Sequence, residues 1–407
     1  MKRLRPGDLA SVLPAQGLVL VSSCSAESDL LADEVAAAAP AALDFSGIFV
    51  PGLNRRTWAG GTSRLTTFFQ TPDLARQAGR VRFLPLCYED ILAFYRREKP
   101  CAALFMCSPP DADGQCSFGT EVAHIAALWR EIPVRIAHIN PAMPRTPGDP
   151  GIPLVEITAG YEADQPLRTL ATGEPDAANL AIARHVAALV PDGATLQTGL
   201  GKNPDAVLRA LTGHRDLRLH TGLIGDGALA LVRSGAMASG PSALAGVAIG
   251  SEALYRELDH EHFQFRPVTV THDPATLAAI GGLVTINSAM EVDLFGQVYA
   301  EASSRGFQSG PGGASDYARG ARASSGGLRI VALPAAASAT SRIVAPGQGH
   351  GPVSLSRFDV DVIVTEFGTA DMRAKTYAER AAALIAIAAP EHREALDSAW
   401  HTVAAQI

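Results

Sequence analysis

Along the first half of the chain, short aliphatic runs alternate with stretches of helical periodicity. Leu18-Val19-Leu20-Val21, Gly47-Ile48-Phe49-Val50, Val81-Arg82-Phe83-Leu84 and the segments 102–106 and 134–139 read as strands. Between them, an Ala-rich stretch after Ser28 and the segment 88–98 read as helices. Short strands spaced by helical patterns predict a parallel sheet with helices on its faces. Gly and Pro interrupt the pattern at Thr172-Gly173-Glu174-Pro175-Asp176, just before a helix predicted over 177–189. Alternation then resumes, with strands at 194–198 and 217–220, a helix at 204–211, and further strands near 268–270, 283–286, 330–333 and 360–365. The expected fold class is α/β: two tandem α/β domains with mainly parallel sheets, residues 1–173 and 174–407. A ligand cleft is expected between them, outside the carboxyl ends of strands.

Composition narrows the function. Of 407 residues 47% are hydrophobic and 18% charged, which excludes disorder as the main theme. The formal net charge of −7 and an aromatic content of 6% exclude the basic, ring-rich surface of a nucleic-acid binder. No apolar run reaches the length of a membrane span or a signal sequence, so a cytoplasmic protein is expected. Cys24, Cys87, Cys101, Cys107 and Cys116 follow neither a zinc nor a redox spacing; they read as small buried hydrophobes in a reducing compartment, and no metal site is expected.

Several segments can carry chemistry. In Thr198-Gly199-Leu200-Gly201-Lys202-Asn203-Pro204-Asp205 a strand ends in a glycine turn before a helix, with Asn203 placed to cap and Pro204 at the first helical position. Free N–H groups there, with Lys202 beside them, suit a phosphate or an oxyanion; an ordinary strand-to-helix turn has the same appearance. Gly312-Gly313, in a second Gly-rich stretch, can aim adjacent N–H donors at an oxyanion or form a surface loop. Glu291 and Glu366 each follow an apolar run, and Asp226 sits between glycines; each is a candidate for acid–base work or for a structural hydrogen bond. His350, in Gly347-Gln348-Gly349-His350-Gly351, reads as a solvated loop residue.

Taken in order, these pieces form a series. Ser108-Pro109-Pro110-Asp111-Ala112-Asp113-Gly114, Cys116-Ser117-Phe118-Gly119, Ile139 to Thr146, Thr195 to Gly201, Asn287 to Asp293 with Gly296-Gln297-Val298, Gly312-Gly313 with Asp316-Tyr317, Ser341 to Val344 and Val364 to Asp371 are collinear over almost the whole chain. This series resembles the acetyl-CoA hydrolase / 4-hydroxybutyrate CoA-transferase family. The resemblance implies two domains of the CoA-transferase type, acyl-CoA as a substrate with no tightly bound cofactor, and a homodimer; the expected acceptor is a small carboxylate or, in the volume emptied at Gly222, an amine or alcohol. It places the CoA-facing turn on Gly199 and Gly201, an oxyanion donor on Gly313 and a second active-site glutamate on Glu366; Leu200, Lys202 and Gly312, beside these positions, complete the candidate CoA-binding set.

One departure stands out. The family's nucleophilic glutamate, which carries the acyl group and then CoA, falls on Gly222 in Leu219-His220-Thr221-Gly222-Leu223-Ile224-Gly225-Asp226-Gly227. A second falls on His272 in His272-Asp273-Pro274, where the family often has Asn before an acid and Pro. Three readings follow. The protein processes thioesters by direct attack of water or an acceptor, with Glu366 as base and the Gly313 N–H polarising the carbonyl. Alternatively it is a CoA-transferase whose nucleophile is Glu291 or Glu366, or a non-catalytic acyl-CoA binder or scaffold.

Overall fold

The computed structural model describes residues 1–58, 61–77 and 79–406. The chain divides into two compact units, Met1–Ala171 with Ala243–Thr271, and Thr172–Ser242 with His272–Ile407. The segment 243–271 therefore returns to the N-terminal unit, whereas a single cut at 173/174 assigns it to the C-terminal one.

The N-terminal unit is built on strands β1 (Lys2–Arg3), β2 (Gln16–Val21), β3 (Ala42–Gly47), β4 (Arg64–Thr67), β5 (Val81–Phe83), β6 (Ala102–Cys107), β7 (Val134–Ile139) and β8 (Ala159–Glu162). Their order is β1-β8-β7-β6-β2-β3-β4-β5, paired in parallel throughout. β6 is buried at every position, which its unbroken apolar sequence requires of a strand covered on both faces. Helix α1 (Asp29–Ala38) starts where Ser28 Oγ accepts the Leu31 N–H at 3.0 Å. α2 (Tyr88–Glu98) has Glu89 and Asp90 in its first turn and Arg96 and Arg97 in its last, matching the helix dipole at both ends.

Two predicted strands differ. Of the segment 47–50 only Gly47 belongs to β3: Ile48 and Phe49 are buried but outside the ladder, so burial produced the apolar run without strand pairing. The β-branched run 268–270 is a helical turn, Val268–Thr271. The Pro267 carbonyl accepts the N–H groups of Val270 and Thr271 at 2.8 and 3.1 Å, and this local closure overrides β-propensity. Cys24, Cys107 and Cys116 are buried, while Cys87 and Cys101 are only half-buried; all five are free thiols.

The C-terminal unit carries β9 (Thr195–Thr198), β10 (Arg218–His220), β11 (Leu283–Ser288), β12 (Leu328–Ala332), β13 (Val362–Thr365) and β14 (Gly368–Asp371). Within it the order is β10-β9-β11-β12-β13-β14; only the last pairing is antiparallel. Its helices include α3 (Ala177–Ala187), α4 (Lys202–Ala210), α5 (Asp226–Ser234), α6 (Pro274–Ala279), α7 (Ala314–Ala323), α8 (Tyr377–Ala386) and α9 (Arg393–Ala404). α3 opens on a capping box, with Asp176 and Asn179 each satisfying the other's backbone N–H. Val331, Ile363, Leu384, Leu396 and Trp400 meet in one core between sheet and helices. Among the described residues no helix is long and apolar enough to cross a membrane, and no cluster of three metal-ligating side chains occurs.

Candidate active site

Because β9, β10, β11, β12 and β13 run in parallel, their carboxyl ends share one edge. That edge delivers the turn after Thr198, the segment after His220, Asn287-Ser288 and Glu366 to the same side of the unit, the usual place for a ligand in an α/β sheet. Gln197 and Asn287 join β9 to β11 through two reciprocal amide hydrogen bonds of 3.3 Å.

The turn after β9 is tighter than its sequence suggests. α4 begins at Lys202, with Gly201 as its N-cap at φ +127°, a conformation that favours glycine. Asn203 is consequently inside the helix rather than its cap, its side chain accepting from Asn179 Nδ2. Pro204 falls in the first turn, where a missing N–H costs nothing. Lys202 is exposed, and its chain runs past Gly173.

Thr221 Oγ1 donates to the Thr198 carbonyl at 2.9 Å, holding the end of β10 against that turn. The next residue is Gly222. A Cβ built on it would stand 3.0 Å from both Cε1 and Nε2 of His272 and 3.9 Å from the Tyr317 hydroxyl. The same imidazole lies against Gly313, where a Cβ would come within 2.6 Å of Nε2 and 2.9 Å of Cδ2. His272 is 2% exposed, and its ring meets that of Tyr317 with centroids 4.8 Å apart at 59°. The Nε2 corner of one buried ring therefore faces two glycine α-carbons, both only partly buried.

Two helix starts fix this arrangement. Asp273 caps α6, its Oδ2 accepting from Thr276 N and Oγ1 at 2.7 Å each. His272, immediately before the cap, is set by it. Gly313 is the N-cap residue of α7, after Gly312 in the left-handed region at φ +59°. The first N–H groups of α7 have no partner within the helix.

The candidate carboxylates are differently engaged. Glu366 Oε2 accepts the Ala335 N–H at 2.8 Å, linking the ends of β13 and β12. Glu291, 7% exposed, accepts from the His350 N–H at 2.8 Å and lies 2.9 and 3.0 Å from His350 Nδ1. His350 is thus anchored to a buried carboxylate instead of solvated throughout. Asp226 is half-buried in the first turn of α5. The structure brings Gly222 and Gly313 together around His272, a residue whose sequence marked only the loss of an amide. The signal lay in the pairing of that departure with the one at Gly222.

The profile of the acetyl-CoA hydrolase/transferase C-terminal domain matches residues 250–400. The 4-hydroxybutyrate coenzyme A transferase of Clostridium kluyveri is 34% identical over 333 residues, spanning 79% of this chain and 78% of that protein. The chain belongs to the acetyl-CoA hydrolase/CoA-transferase family. Solved structures agree with this family's fold: RipA from Yersinia pestis superposes with a TM-score of 0.90 at 27% identity, covering 99% of this chain and 97% of that one. The 4-hydroxybutyrate CoA-transferase from Porphyromonas gingivalis gives 0.81 at 28%, covering 98% and 97%.

Proposed function

We propose that the protein binds acyl-CoA thioesters and passes the acyl group directly to water or a small acceptor, with no glutamyl intermediate. The observation that carries this reading is the pair Gly222 and His272. The position to which the family resemblance assigns the nucleophile has no side chain, and an imidazole stands 3.0 Å from where its Cβ would lie. Exchange of CoA between carboxylates by a ping-pong route needs a covalent carrier, which glycine cannot supply.

In this reading Gly199, Leu200, Gly201 and Lys202 take the phosphate-bearing part of CoA: N–H groups at the start of α4 and an exposed ammonium suit an anion. Gly312 shapes the approach to α7, and the Gly313 N–H polarises the thioester carbonyl. Glu366, on the same edge, is a candidate general base. CoA enters as substrate, and the acceptor is water or a small amine or alcohol.

The test is to supply acetyl-CoA, butyryl-CoA and 4-hydroxybutyryl-CoA, with and without isotopically labelled acetate, and to follow free thiol and labelled acetyl-CoA. Thiol release without label in acetyl-CoA is expected. Rapid entry of label into acetyl-CoA would overturn the reading.

A further inference from the structure

From the packing of its ring we infer that His272 is the general base that activates the acceptor at the thioester carbonyl. This rests on the direct-transfer reading above. The Nε2 corner faces Gly222 and Gly313 together, so one atom lies beside both the position emptied of a side chain and the helix start offered to the oxyanion. Larger residues at either glycine would meet the ring, at 3.0 and 2.6 Å, so both are needed for an imidazole in this place. Tyr317 holds the ring's face, and the α6 cap holds its backbone.

α7, whose start carries partial positive charge, begins at this ring. The titratable and charged groups on the packed elements are Asp316, Tyr317, Arg319 and Arg322 of α7, Asp273 at the α6 cap, and Arg218 and His220 of β10. Asp273 is committed to Thr276, so its carboxylate serves the cap.

With water as acceptor the step balances. The water oxygen attacks the carbonyl carbon while its proton moves to His272 Nε2, and the carbonyl oxygen gathers negative charge on the Gly313 N–H. The C–S bond then breaks, and the imidazolium returns its proton to the departing CoA sulfur. The products are a free carboxylic acid, which loses its proton to solvent, and CoA thiol. Glu366 is then left to hold Ala335 and the edge of the sheet.

The experiment measures thiol release from the same three thioesters across pH for the parent, His272→Gln and Glu366→Gln. His272→Gln should lose about 100-fold in kcat, with KM little changed and the acid limb of the pH profile abolished. A merely structural role would leave that limb in place. Gly222→Ala serves as a second variant that keeps the imidazole but displaces it, and should lower kcat while preserving the limb. An unchanged rate and profile in His272→Gln, beside an active parent, overturns this assignment alone. A parent that releases no thiol from any of the three overturns it together with the direct-transfer reading.

Discussion

Glycine at 222 and at 313 is explained by what touches it. Neither position needs a left-handed backbone; each needs the absence of a Cβ, because the His272 ring fills the space. The two contacts differ in severity. At Gly222 the ring must give by a few tenths of an ångström, whereas at Gly313 the clash is deeper and the added Cβ also comes within 3.3 Å of Tyr317 Cε2. Since misplacing a reacting group by ~1 Å can cost about 100-fold, Gly222→Ala should lower kcat/KM by roughly tenfold and Gly313→Ala by more. Steady-state thiol release from butyryl-CoA would check the order; equal rates for parent and Gly313→Ala would show that the ring has no part in catalysis. The departures at Gly222 and at His272 were both visible in the sequence, but their contact was not. His272 is distant in the chain, and an isolated histidine beside Asp-Pro shows no sign of the two glycines it will meet.

Helix and strand boundaries follow the same rule, that local signals hold where nothing distant competes. The helix 88–98 and the strand 134–139 stand where periodicity put them, since each buries one consistent face or run. The glycine turn after β9 was legible as a helix start, but the cap moved from Asn203 to Gly201 once Asn203 was drawn to Asn179. The short helix α6 depends on its cap. Asp273→Ala should remove about 1 kcal/mol of stability, seen as a lower urea midpoint with unchanged slope. It should also lower thiol release, because His272 precedes the cap; loss of stability alone would separate the cap from the site. β12 and β13 are tied by Arg329 and Asp361, both largely buried, with hydrogen bonds of 2.6 and 2.9 Å between the side chains. Breaking such a pair leaves a buried charge, so Asp361→Ala should cost about 3–5 kcal/mol in the same denaturation.

The stability of the whole protein should depend on pH through groups of the N-terminal unit. Burial pushes the Glu121 carboxyl up to about 8, against hydrogen bonds of 2.8 Å from the Ser23 N–H and Oγ that favour its anion. Burial also lowers His124 to about 4, and its buried Nε2 has no hydrogen-bond partner among the described residues. From the ordinary carboxyl value of 4.5 up to about 8, the native state holds a Glu121 proton that the unfolded chain releases, so this group's contribution falls as pH rises. Between about 4 and 6.5 the unfolded chain binds a His124 proton that the native state refuses, so that contribution rises with pH. The two oppose each other up to 6.5, and beyond it the Glu121 slope remains, at most about 1.4 kcal/mol per pH unit. Tm followed by circular dichroism should decline from pH 6.5 to 8, and Glu121→Gln should flatten that decline; an equally steep decline in the variant would assign it elsewhere. The parallel α/β plan of both units was readable from the alternation of short strands and helices. The return of 243–271 to the first unit was not, because it is decided by packing between segments far apart in sequence. The chemistry is tested most directly by looking for the covalent carrier itself. The protein would be mixed with acetyl-CoA, butyryl-CoA or 4-hydroxybutyryl-CoA, quenched with borohydride, and measured by intact mass and peptide mapping. An unmodified protein, in a mixture that has released CoA thiol, is the result expected of an enzyme that transfers acyl groups directly; a reduced or CoA-bearing glutamate at 291 or 366 would contradict it.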